Sequence, residues 1–179
     1  LTVLTGNSVV EAAPTAIELT YTGTAQNLVN GGTAYGGTLV YSLTKDGQYT
    51  ETIPQGTNAG EYKVWYYVQG DANHSDSAKA SLDVIIAKAS YDMTGTKWNY
   101  TEPFRYDGTE HTIQVIGLPN GVTVSGYTGN TAMVAGDYTA GVTLDYDRAN
   151  YNEPVIEDLD WQIVNNWTPT EYTVNGSGW

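Results

Sequence analysis

Asn58-Ala59-Gly60-Glu61-Tyr62-Lys63-Val64-Trp65-Tyr66-Tyr67-Val68-Gln69 joins a turn to a strand. Asn-Ala-Gly is a turn signal. The residues after it alternate, with Tyr62, Val64, Tyr66 and Val68 on one side and Lys63, Trp65, Tyr67 and Gln69 on the other. A period of two is that of a strand with one face in a core. Downstream, Val134-Ala135-Gly136-Asp137-Tyr138 repeats the turn. There Tyr138, Ala140, Val142 and Leu144 alternate with Thr139, Gly141, Thr143 and Asp145. Leu82/Val84/Ile86, Leu159/Trp161/Ile163 and Val122/Val124 follow the same period, and no stretch carries a helical one.

Working outward, the duplication extends well beyond the turn. Tyr21-Thr22-Gly23-Thr24-Ala25-Gln26 returns as Tyr106-Asp107-Gly108-Thr109-Glu110-His111, and Asp71-Ala72-Asn73-His74 returns, one residue out of step, as Arg148-Ala149-Asn150-Tyr151. Order is kept and only loop lengths change. A period of roughly 80 residues is that of tandem domains, longer than the turns of a solenoid. Turn signals at Asn30-Gly31-Gly32, Lys45-Asp46-Gly47, Asp107-Gly108 and Pro119-Asn120-Gly121 separate short strands. The expected fold is all-β, two tandem immunoglobulin-like β-sandwich domains set end to end. The first is expected over residues 14–87 and the second over 88–164, with 1–13 and 165–179 as flanking segments. The junction from Ile85 to Tyr91 has no Pro and is short, which favours a semi-rigid connection.

Composition narrows the function classes. The 179 residues contain 7 Lys+Arg against 20 Asp+Glu, a net charge of −13, so the basic footprint of a nucleic-acid binder is missing. Anionic lipid is disfavoured for the same reason. No apolar run of about 18 residues is present to span a membrane. Cys is 0, so stability has to come from packing, with 15 Tyr and 5 Trp against 1 Phe. Tyr suits thin sheets, where the ring is buried and the hydroxyl reaches water. The chain starts at Leu1 with no signal peptide and is expected to be a piece of something longer.

The residues now resemble a known family. Tyr21–Gln26, Gly37-Thr38-Leu39-Val40-Tyr41-Ser42, Ile53–Tyr62 and Gly70–Asp76 are similar to the bacterial immunoglobulin-like repeats of large surface and secreted proteins. Tyr91-Asp92-Met93-Thr94-Gly95, Tyr106–His111, Gly117–Val124 and Ala135–Thr139 are similar to a sister subtype. The resemblance covers roughly residues 14–164. It implies an extracellular or bacterial cell-surface location and a role as stalk, adhesin module or accessory module of polysaccharide-degrading enzymes. It also places Tyr62 and Tyr138 as tyrosine corners, with the hydroxyl bonded to backbone upstream.

Catalysis is not expected. His74 and His111 are the two histidines and fall in different repeats. With no Cys there is neither a thiolate nucleophile nor thiolate zinc ligation, and the serines lack a GxSxG-like setting. Three binding features are candidates. If Tyr62, Val64, Tyr66 and Val68 face inward, Trp65 and Tyr67 form an outward aromatic pair, absent from the second repeat, that could stack on sugar rings. The bland alternative is that they shield the sheet beneath a loop or against the other repeat. Trp98, in the polar stretch Thr96-Lys97-Trp98-Asn99-Tyr100, could be exposed and is a further stacking candidate, with packing against the second repeat as the bland alternative, whereas Trp161 is expected in the core. Trp167, Tyr172 and Trp179 form an aromatic tail, either a patch or packed back. Asp145, Asp147, Glu153, Glu157, Asp158 and Asp160 supply oxygens but not the spacing of a calcium loop, so a solvated acidic face is the default. A Lys–Asn isopeptide crosslink needs a buried Lys, and Lys63 is expected outside.

The expected function is that of a non-enzymatic stalk, spacer or adhesive module. It is taken as a monomer without cofactor, whose partners are glycan, a host or cell-surface protein, or neighbouring domains. The alternative is a carbohydrate-binding accessory module using Trp65, Tyr67 and Trp98.

Overall fold

The computed structural model describes residues 6–165. Among these the secondary structure is all β, with no helix and therefore none able to cross a membrane. The chain divides into two compact units. Unit 1 takes the described residues up to Tyr91 together with Asp147–Glu153, and unit 2 takes Asp92–Tyr146 and the described residues from Pro154 on.

Eight strands form the two main sheets. In unit 1 they are β1 (Leu19–Thr20), β2 (Gly37–Ser42), β3 (Gly60–Gly70) and β4 (Ala80–Ala87); in unit 2, β5 (Phe104–Arg105), β6 (Thr123–Thr128), β7 (Gly136–Asp145) and β8 (Leu159–Val164). The spatial orders are β1-β4-β3-β2 and β5-β8-β7-β6, which are the same topology twice. In each, the short first strand pairs in parallel with the last, and the remaining pairs are antiparallel. Short two-stranded ladders supply the opposing layer, giving each unit a sandwich-like form. Thr15–Ala16 pairs with Val29–Asn30 and Gln26–Asn27 with Gln55–Gly56 in unit 1; Lys97–Trp98 pairs with Val115–Ile116 and His111–Thr112 with Thr131–Ala132 in unit 2. Residues sequence placed outside the repeat also pair within unit 1, since Val9–Ala12 lies antiparallel to Thr33–Tyr35 and Gly6–Asn7 parallel to His74–Ser75.

Each unit has its own core. Leu28, Leu39, Tyr41, Val64, Tyr66, Val68, Val84 and Ile86 fill unit 1. Trp98, Ile113, Val115, Ala140, Trp161 and Ile163 fill unit 2. Register aligns the two cores residue by residue. Gly60 pairs with Ile86 and Tyr62 with Val84, as Gly136 pairs with Ile163 and Tyr138 with Trp161. Val64 therefore corresponds to Ala140, and Val84 to Trp161. Unit 2 is smaller at one position and larger at the next, an exchange that keeps the volume filled. Fully burying a Val, Leu or Ile of these cores contributes about 1.5–3 kcal/mol.

Trp161 is fully buried, as expected for a core residue. Its ring lies 5.0 Å from Tyr138 and 5.9 Å from Phe104, and its indole N–H donates to Gly129 O at 2.9 Å. A buried indole needs such a partner.

Candidate functional site

The turns that open β3 and β7 are built alike. The Tyr62 hydroxyl donates to Asn58 O at 2.8 Å, and the Tyr138 hydroxyl donates to Val134 O at 2.6 Å. Each hydroxyl reaches the carbonyl four residues upstream and ties its strand to the turn that begins it. The glycine of the motif is used differently. Gly60 has φ 146°, a region that L-residues rarely adopt, while Gly136 has no positive φ. The turn therefore demands glycine at Gly60 but not at Gly136.

The outer face of β3 carries Lys63, Trp65 and Tyr67, with Tyr62, Val64, Tyr66 and Val68 turned inward. Trp65 sits beside Ser42 and Ser81, and Tyr67 beside Val40. Both aromatic rings are half-buried, because the loop after β2 folds back over them. Tyr41 and Thr50 exchange backbone hydrogen bonds of 2.7 and 3.0 Å and close that loop. Lys45 then places its Nζ 5.5 Å from the Trp65 ring centroid. Tyr49 meets Tyr67 edge to face at 4.9 Å. Lys79 Nζ lies 4.8 Å over the Tyr49 ring, donates to Lys45 O at 2.8 Å and stands 3.8 Å from the Asp46 carboxylate. The Tyr49 hydroxyl donates to the same Lys45 carbonyl at 2.8 Å. Desolvation pushes the Tyr49 phenol above its ordinary pKa, and the Asp46 carboxylate adds to the shift. Lys63 is paired to Asp83.

Two outward residues of β2 show what this arrangement does. Val40 and Ser42 are buried although they share the outer face with Tyr67 and Trp65. Val40 is outside the inner core cluster. The aromatic pair and its loop therefore make a small second core on the outside of the sheet. Three of the chain's 7 Lys+Arg, namely Lys45, Lys63 and Lys79, lie on this face. Sequence reasoning found Trp65 and Tyr67 but missed Lys45, Tyr49 and Lys79. Lys45-Asp46-Gly47 was legible as a turn, yet nothing local says where that turn lands.

The equivalent face of β7 carries no aromatic pair. Gly141 occupies the position of Trp65, and a Cβ there would come 2.8 Å from Thr128 Oγ1 and 3.0 Å from Asp158 Oδ1. Thr139 donates to Asp160 at 2.6 Å where Lys63 pairs with Asp83.

Trp98 corrects an expectation. It is 8% exposed, inside the core of unit 2, and its N–H donates to Glu157 O at 3.1 Å. The signal was present but overlooked, since Lys97 and Asn99 flank it as outward residues of a period-two run. A groove of about 660 Å³, lined by Met93, Lys97, Trp98, Ile116, Val155 and Leu159, runs beside it, but the indole itself offers no open face. Trp167, Tyr172 and Trp179 lie outside the described residues.

The histidines and acids close turns. Asp71 accepts from Asn73 N at 2.8 Å while its carboxylate meets His74 Nδ1 at 2.7 Å. Asp107 accepts from Thr109 N at 2.9 Å and meets His111 Nε2 at 3.1 Å. The hydrogen bond from His74 is the main cause holding Asp71 below the usual carboxylate range, and Thr109 does the same for Asp107. Asp147, held low chiefly by the Asn150 amide, organises the loop Asp147–Glu153 of unit 1. Among the described residues no group of three or more His, Asp or Glu is placed to hold a metal ion.

Neither a protein-family model nor a curated protein matches this chain.

Proposed function

We propose that this chain is a non-enzymatic structural or adhesive segment, two tandem immunoglobulin-like β-sandwich domains serving as stalk or spacer in a bacterial cell-surface or secreted protein. The observation that carries the reading is what the duplication keeps. Sheet order, core register and tyrosine hook recur in both units. The aromatic face does not recur, and in unit 1 it serves as cover for Val40 and Ser42. A chain whose repeated features are all framework fits a mechanical role better than a chemical one.

The alternative is a carbohydrate-binding accessory module. It is favoured by the half-exposed rings of Trp65 and Tyr67, bordered by Lys45 and Lys79. Trp98 has no part in it. A glycan array and a pull-down on insoluble polysaccharide separate the two. The structural reading expects no retention. Retention that Trp65→Ala abolishes in a folded protein would replace it with the carbohydrate reading.

A further inference from the structure

One turn of unit 1 is already occupied by a loop, and no described residue covers the equivalent pair of surfaces elsewhere. The occupied turn is Asn58-Ala59-Gly60. The backbone N–H of Ala59 donates to Asn150 Oδ1 at 2.9 Å, and the Asn150 amide donates onward to Asp147 at 2.9 Å. Asn150 is 8% exposed. Next to it Tyr151 stacks on Tyr91 at 4.1 Å and meets Tyr21 edge to face at 5.5 Å.

The loop that supplies Asn150 has a counterpart built by the same backbone rules. Ala89 N donates to Asn150 O at 3.0 Å, with Ala89 bridged in parallel to Tyr151. Gly6 N donates to Asn73 O at 2.7 Å, with Gly6 paired in parallel to His74. Asn73 therefore stands where Asn150 stands, on an aspartate-closed loop of the same kind. Yet Asn73 is exposed, and its side-chain amide has no hydrogen-bond partner among the described residues.

The turn that receives Asn150 also has a counterpart, Val134-Ala135-Gly136, with the same tyrosine hook behind it. Here Met133 is 52% and Val134 68% exposed. The donor at Ala135 is the equivalent of Ala59, and no described residue accepts from it.

We infer that the Asp71–His74 loop of one copy of this chain docks on the Met133–Gly136 turn of a second copy, with the Asn73 side-chain Oδ1 accepting from Ala135 N–H and Val134 covered in the process. The occupant is a second copy because the chain itself carries the matching loop and already displays the contact once, at Ala59 and Asn150. The loop and the turn are different patches, so the contact is heterologous and each added copy presents a further turn. His74 in place of Tyr151 leaves the polar half of the contact as its dependable part, so the association is weak. The proposal rests on the reading of the chain as repeated modules of one type, and it adds the surface through which they recognise one another.

Sedimentation equilibrium on the full chain, from about 20 µM to about 1 mM, together with amide chemical shifts of a ¹⁵N-labelled sample, tests it. The expected result is an average mass that rises with concentration past that of a dimer, with the Ala135 amide shifting in step. Asn73→Ala, on an exposed side chain, weakens association by roughly 2- to 10-fold, the loss of one hydrogen bond. Val134→Asp, also exposed, does so through the other surface. A mass that stays at one chain throughout, or an association indifferent to both variants, overturns the proposal. That failure leaves the stalk reading standing, which falls instead on glycan retention.

Discussion

Strands β3 and β7 occupy the same place in the same sheet order, open from the same hooked turn and pair in the same register with their neighbours. Their inner faces are interchangeable in kind, and their outer faces are not. β3 presents Trp65 and Tyr67 under a loop, whereas β7 presents Gly141 and Thr143, with the Thr128 hydroxyl and the Asp158 carboxylate close above Gly141. The inner face answers to the core, where volume and register constrain every residue. The outer face answers to whatever covers it, and so it diverges. A feature present in one copy and missing from its twin is thus a local packing solution or a specific binding site, and the burial of Val40 and Ser42 supports the packing reading proposed above.

The largest effect expected from breaking this comparison is in the core. Trp161→Ala should cost about 3–5 kcal/mol, because it empties the centre of unit 2. Val84→Ala at the matching position of unit 1 removes far less volume and should cost clearly less. Denaturant unfolding of both variants checks this, and equal losses would mean the two cores are not aligned as described. Next comes transplantation of the outer face. Gly141→Trp should destabilise by about 1–3 kcal/mol, as the side chain displaces Thr128 and Asp158. A neutral result would show that β7 simply lacks a Trp it could hold. The two hooks should be nearly equal, with Tyr62→Phe and Tyr138→Phe each costing about 1 kcal/mol. A large inequality would make one hook incidental.

How much of this was legible in the sequence follows from where each signal lives. Period two along Tyr62–Val68 and Tyr138–Leu144 depends only on neighbours, so strands and inner faces could be read directly, whereas the tyrosine hooks followed from the family resemblance. Trp98 was misjudged because its neighbours Lys97 and Asn99 are polar, although that polarity marks the outward half of the same alternation. The cover over Trp65 was not legible. It depends on Tyr49 and Lys79 meeting above β3, a non-local contact set by how the loop returns after Ser42. Asn150 was visible only as part of the repeated Arg148-Ala149-Asn150-Tyr151 motif, and its bond to Ala59 spans too much sequence for any local rule to reveal.

The smallest effect is electrostatic. Asp71, Asp92, Asp107 and Asp147 are all held below the ordinary carboxylate range, mainly by hydrogen bonds from His74, Thr94, Thr109 and Asn150 respectively. A depressed folded-state pKa gives stability that is present above the ordinary carboxylate value, near about 4, and is lost as pH falls through the lowered value. Stability should therefore be level from neutral pH to about pH 5 and fall in more acid solution. Asp147→Asn should blunt that fall in unit 1 alone. An unchanged acid profile would mean these turns are closed without help from charge.

On the proposed reading the aromatic face of β3 is cover and not a docking platform. Trp65→Ala, measured for unfolding free energy and for glycan retention on the same preparation, tests it most directly. The account predicts a loss of about 1–2 kcal/mol, from lost burial and the lost cation–π contact with Lys45, and no glycan retention before or after the change. Unchanged stability accompanied by the loss of a glycan that the parent chain retained would contradict it.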